Sequence, residues 1–194
     1  MTQFLELLDG NSPDAKVVSR YLLDSCPSIF DGDSAAYLQW REDLGSRIEV
    51  DLRNILVVGS SCVGVSLNPH KSFRSFGDHS DVDVAVVSQR HFDESWRHLR
   101  GPKSRRARMP HKIWKLIITR TPELVYWGAI NTDRILPYLP FARGWMSAIA
   151  WMANQEPTVG REINIRLYRD IESLRDYQLK SVREARKIRR EAGV

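Results

Sequence analysis

The chain predicts an α+β protein, with strands and helices interleaved in one unit, on three observations. Two short aliphatic runs, Ile55 to Val58 and Asp81 to Val87, are rich in β-branched valine and end at turn residues, as buried strands do. Tyr37, Leu38, Leu44, Ile48 and Leu52 recur near helical spacing behind Asp33-Ser34, a pair suited to starting a helix. From Asp170 onward the pattern is helical again, giving a long C-terminal helix.

In chain order, Phe4, Leu5, Leu7 and Leu8 fit one or two helical turns stopped at Asp9-Gly10, and Val17 to Leu23 fits a second short helix. The helix from Asp33-Ser34 is expected to run to about Arg53, directly before the first strand. Gly59, Ser60 and Ser61 then make a turn into a short helix around Cys62 to Leu67, ended by Asn68-Pro69. His70 to Ser80 reads as a loop or hairpin-like excursion, and His91 to Leu99 as a helix after the second strand. Ile113 to Thr119 is a candidate third strand with a helix as its alternative; Pro122 to Ile130 reads as a short helix or turn. Ile163 to Leu167 alternates with Glu162, Asn164 and Arg166, the period-2 signature of a half-buried strand.

A length of 194 residues suits one domain, 1–194, divided as 1–53 N-terminal helices, 54–167 core and 168–194 C-terminal helix. Two distant cysteines, Cys26 and Cys62, exclude a disulfide scaffold. No basic segment followed by a long apolar run opens the chain, and no stretch approaches the roughly 20 apolar residues that span a bilayer, so a cytoplasmic location is expected.

The net charge of +5 is unevenly placed. One basic segment runs from Arg97 to Arg120 and the other from Lys180 to Arg190. Clustered cations attract polyanions by counterion release, and Arg100, Lys103, Arg105, Arg106 and Arg108, with no acid between them, are candidate phosphate or nucleic-acid contacts. The C-terminal run, with Glu184 and Glu191 interspersed, reads equally as an exposed helix with internal ion pairs.

Chemistry concentrates between Asn54 and Ser88. On an extended strand Asp81 and Asp83 share one face, about 6.5–7 Å apart, while Val82, Val84 and Val86 take the other. Paired carboxylates repel unless a cation sits between them, and their hard oxygen donors suit Mg²⁺ or Mn²⁺, which also recruit triphosphate oxygens. Gly59 lets backbone approach a phosphate closely, and Ser60 and Ser61 add hydroxyls at the start of a helix.

Val58-Gly59-Ser60-Ser61 followed by Ser80-Asp81-Val82-Asp83-Val84 resembles the signature of the DNA polymerase beta-type nucleotidyltransferase superfamily, over about 35 of the 194 residues. The resemblance implies a small mixed β-sheet of about four or five strands flanked by helices. It also implies a nucleoside triphosphate such as ATP as donor, divalent metal on Asp81 and Asp83, phosphate binding by Gly59, Ser60 and Ser61, and transfer of a nucleoside monophosphate to an acceptor hydroxyl. RNA ends and protein hydroxyls are among the acceptors it implies. These enzymes use a third carboxylate on a later strand; Glu162 is the catalytic candidate, on one strand face with Asn164 and Arg166. Asn164 is the alternative occupant of that position, and an amide cannot act as a base. Two further readings stand beside this one: a degenerate, antitoxin-like regulatory protein on the same fold, and a nucleic-acid-binding protein without a nucleotide site.

Overall fold

The computed structural model describes residues 2–68, 73–101, 109–119 and 125–191. Its centre is a mixed sheet of four strands, β1 (Ile55–Val58), β2 (Val82–Val87), β3 (Ala129–Asn131) and β4 (Ile163–Tyr168), in the order β1-β2-β4-β3. β1 runs antiparallel to β2 with Val58 opposite Asp83, β2 runs parallel to β4 with Asp83 beside Asn164, and β3 runs antiparallel to β4. The parallel pair needs a long crossover, which the helices between residues 89 and 152 supply. The protein is thus α+β, with the long terminal helix expected from the sequence.

Eight helices surround the sheet among the described residues. They are α1 (Thr2–Asp9), α2 (Asp14–Val17, continued through a wide turn to Leu23), α3 (Ser34–Ile48) and α4 (Ser60–Val63), then α5 (Gln89–Leu99), α6 (His111–Thr119), α7 (Ala142–Met152) and α8 (Ile171–Glu191). The Asp33 carboxylate starts α3 by accepting from the backbone N–H groups of Ala35 and Ala36 at 3.0 and 2.9 Å. The helix stops at left-handed Glu49, short of the expected Arg53.

Alternation divides the strands into two faces. Ile55 and Val57, Val82, Val84 and Val86, Ile163, Ile165 and Leu167 point to one side, all buried, into a core with Tyr37, Trp40, Leu44, Phe92, Trp145 and Met152 from α3, α5 and α7. Leu56, Val58, Ala85, Ala129 and Tyr168 point to the other, beneath Leu174 of α8. The edge strand β1 is blunted by Tyr37, whose hydroxyl accepts from Val57 N–H at 3.1 Å; burial pushes that hydroxyl's pKa up to about 12.

One element takes the second of its two sequence readings, and another is helix and turn over 125–128, as read, but ends in a strand. Residues Ile113 to Thr119 lie in helix α6, because Ile113, Leu116 and Ile117 face the core at i, i+3, i+4 spacing while Ile118 is exposed. The remaining strand is instead Ala129–Asn131, within and just past the stretch read as a helix or turn; three residues are too few to display alternation.

Candidate functional site

The turn between β1 and α4 depends on Gly59, whose φ of 65° and ψ of −148° are open to glycine but strained for any other residue. A Cβ at this position would stand 2.8 Å from Oδ2 of Asp83. Absence of a side chain is therefore what brings the turn against the carboxylate. Ser60 lines the resulting pocket, whereas Ser61 is fully buried beneath the turn and donates its hydroxyl to the Val58 carbonyl at 2.9 Å. The structure thus gives the two serines different places: Ser60 faces the cavity and Ser61 fastens the turn.

Asp81 immediately precedes β2 and Asp83 lies within it, both half-buried. The loop that delivers them is hairpin-like where described, with Ser66 N–H donating to Arg74 carbonyl and Phe76 N–H to Gly64 carbonyl, each at 2.9 Å. Arg161 holds its far end: one guanidinium nitrogen donates to the carbonyls of Gly77, Asp78 and Ser80 at 2.7, 3.1 and 3.2 Å. Nothing in the sequence pattern marked Arg161, since its partners are backbone atoms more than 80 positions away.

The carboxylates open into a cavity of about 440 Å³ between the sheet and α8, walled by Gly59 and Ser60 on one side and by Asn131, Asn164 and Arg166 on the other. Asn164 donates its side-chain amide to Asp81 Oδ2 at 3.0 Å. It therefore stands on the strand next to the pair, within contact of it. Glu162 is exposed and borders a separate cleft with Asp78, His79 and Arg161; Asp81 lies between the two clefts. Because Glu162 precedes β4 and its carbonyl accepts from Val82 N–H at 2.8 Å, it flanks Asp81 at the outer lip instead of joining Asp83 in the cavity. Asp133 and Glu184, both exposed, stand on the cavity's rim.

The roof and far wall carry residues the sequence did not single out as a group. The Arg166 guanidinium lies over the Tyr177 ring, 4.4 Å from its centroid, and within electrostatic reach of Asp83 and Tyr168. Tyr168, read from sequence as structural, is fully buried and lines the cavity; burial holds its hydroxyl well above the ordinary phenol pKa. The signal that would have found Arg166 is a cation on the same strand face as Asn164, two positions on.

Among the described residues, no group of three or more His, Cys, Asp or Glu side chains is arranged to hold a metal ion. The donors present fit Mg²⁺ or Mn²⁺ only as Asp81 and Asp83 with substrate oxygens and water completing the shell, which is how magnesium commonly binds. Of the basic candidates, Lys103, Arg105, Arg106 and Arg108 lie outside the described residues; Arg100 ends α5 with its guanidinium 5.1 Å from the Trp96 ring centroid. In the C-terminal run, Arg186 donates to Asp14 and to the Leu7 carbonyl, and Arg189 grips Asp9, so these two cations tie α8 to α1 and α2. None of the described helices is long and apolar enough to cross a membrane. No protein-family model, no curated protein and no solved structure matches the chain.

Proposed function

We propose that the chain is a metal-dependent nucleotidyltransferase that takes a nucleoside triphosphate into the β1–β2 pocket and transfers its nucleoside monophosphate to an acceptor hydroxyl. The observation that carries this reading is the close approach of Gly59 to the Asp83 carboxylate, with Ser60 and Asp81 in the same cavity. Backbone N–H groups beyond Gly59 and the Ser60 hydroxyl suit the triphosphate tail. A divalent cation, when bound, would neutralise phosphate charge between Asp81 and Asp83. In the transfer, a bond forms from the acceptor oxygen to the α-phosphorus and the bond to pyrophosphate breaks. The acceptor's proton leaves to an aspartate or to water, because the Asn164 amide has no basic site for it.

Asn164 favours a second reading, in which the pocket binds metal and nucleotide without turnover and the protein acts as a regulatory, antitoxin-like partner. One experiment separates the readings and tests their common part. Binding of labelled ATP, GTP, CTP and UTP is measured with and without Mn²⁺, and label transfer to RNA ends and protein hydroxyls is followed alongside. Metal-dependent binding that falls at least about 100-fold in Asp81→Ala/Asp83→Ala is expected under both readings, and label transfer only under the first. Nucleotide binding indifferent to metal and to both aspartates would refute the shared site.

A further inference from the structure

Arg166 projects from β4 into the cavity, and its Nε is buried without a hydrogen-bond partner. Among the described residues it forms no ion pair within 4.0 Å. Beside it the hydroxyl of Tyr168, on a side chain with 0% exposure, interacts with the Arg166 guanidinium itself. The half-buried guanidinium thus lines the cavity with no carboxylate paired to it and with Nε lacking an acceptor, an arrangement that a ligand anion would relieve, since a buried polar group without a partner costs about 1–3 kcal/mol. A guanidinium stays charged at any ordinary pH and presents its N–H groups as a planar fork that matches phosphate.

Strand order places this fork. β2 carries Asp83, with Asp81 just before it, and is flanked by β1 and its Gly59 turn on one side and by β4 with Arg166 on the other. The Arg166 guanidinium, with Tyr168 beside it, therefore stands across the aspartates from the Gly59 turn. Tyr177 backs the guanidinium from α8 and limits its movement. Asp133 and Glu184 are exposed on the rim, where water screens them, whereas Arg166 and Tyr168 form the floor.

We propose that Arg166, assisted by the Tyr168 hydroxyl, forms an anion subsite that takes a phosphate group on the far side of the carboxylate pair from Gly59. The proposal rests on the nucleotidyltransferase-type reading for the identity of its neighbour site, but its own chemistry requires only a phosphate. That phosphate belongs either to the donor triphosphate or to a second, phosphorylated substrate such as a nucleotide chain.

The test titrates the full-length protein with inorganic tripolyphosphate without metal, with ATP and GTP plus Mn²⁺, and with inorganic phosphate after saturation by nucleotide and Mn²⁺. Wild type is compared with Arg166→Met and Arg166→Lys, each checked for folding by thermal unfolding. Tripolyphosphate affinity is expected to fall about 10–100-fold in Arg166→Met and less in Arg166→Lys, which keeps the charge and loses the fork. Phosphate that still binds to the nucleotide-saturated protein, in an Arg166-dependent manner, assigns the subsite to a second substrate; phosphate displaced by nucleotide assigns it to the donor's tail. Folded Arg166→Met that binds every probe as wild type does overturns the proposal while leaving the nucleotide site intact. Arg166-dependent binding of tripolyphosphate with no nucleotide binding in Mn²⁺ supports the anion subsite and overturns the nucleotide reading. If wild type binds none of the probes, both fall.

Discussion

The two faces of the same sheet do opposite work. On one, Val82, Val84, Val86, Ile163, Ile165 and Leu167 are all buried under α3, α5 and α7, where Tyr37 accepts from Val57 N–H and Trp40 donates to Thr158. On the other, Asp83, Asn164 and Arg166 are half-buried, hydrogen-bonded in part, and open to a cavity. A strand alternates sides residue by residue, so the six positions of β2 put Val82, Val84 and Val86 into the core and Asp83 at the cavity. The comparison teaches that core packing and cavity lining are separated by parity along β2, and substitutions of opposite parity should expose that separation.

The largest expected effect comes from Gly59→Ala. The substitution places a Cβ 2.8 Å from Asp83 Oδ2 and holds a non-glycine residue at φ 65°. A destabilisation of about 2–3 kcal/mol is expected in urea unfolding, together with loss of metal-dependent nucleotide binding as Asp83 is displaced. Val84→Ala, on the apolar side of the same strand, should cost about 2 kcal/mol and leave nucleotide affinity within twofold of wild type. Parallel losses of affinity in both variants would show that the faces are not separable.

The polar face was partly legible in the sequence and the apolar face more so. Valine runs at 55–58 and 82–87 announce buried strands by composition alone, and the Asp-x-Asp spacing places two carboxylates on one side of any strand. Asp33 announces a helix start by local hydrogen bonding, which needs no knowledge of the rest of the chain. By contrast, the meeting of Asp81 with Asn164, of Arg161 with the Gly77–Ser80 backbone, and of Arg166 with Tyr177 depends on parallel pairing of strands about 80 residues apart and on docking of α8. Period-2 counting put Glu162 and Asn164 on one face but had no means of saying which of them reaches the cavity. Register decides it, because Asn164 is the residue aligned with Asp83. Ser61 was misplaced for a local reason: its hydroxyl turns back to Val58, as serines in turns often do.

A smaller effect lies under the apolar face, where His91 of α5 is packed edgewise on Phe141 and 5.1 Å from the Trp145 ring centroid. Arg90 has only donors, so its contact with His91 Nε2 at 3.2 Å makes that nitrogen the acceptor and leaves Nδ1–H to donate to Ser88 Oγ at 2.9 Å. Burial, and then the Arg90 charge, push the imidazole pKa down from 6.5 to about 4. The unfolded chain therefore binds the proton more readily between those pH values, and native stability is complete above about pH 6.5 and declines as pH falls towards 4. The contribution is about 2 kcal/mol, reduced from the full displacement by polar surroundings that screen the charge. His91→Gln should flatten the urea midpoint between pH 7 and 4.5 relative to wild type. Nucleotide affinity at pH 7 should be unaltered, since His91 lies on the face away from the cavity. An unflattened profile would assign the acid sensitivity elsewhere.

The smallest free-energy effect is also the sharpest probe of the polar face. Asn164→Asp removes the amide donated to Asp81 and sets a third carboxylate beside Asp83. Without metal, the added repulsion should lower stability by about 1 kcal/mol, an effect that grows at low salt. With metal, the same charge becomes a ligand, and Mn²⁺ affinity read by paramagnetic resonance should rise about tenfold, equivalent to about 1.4 kcal/mol. Opposite signs in the two conditions would mark position 164 as a ligand position held neutral by its amide. Wild-type Mn²⁺ affinity in Asn164→Asp would show instead that the pair binds metal facing away from β4, towards Gly59, and that the far wall is given over to Arg166.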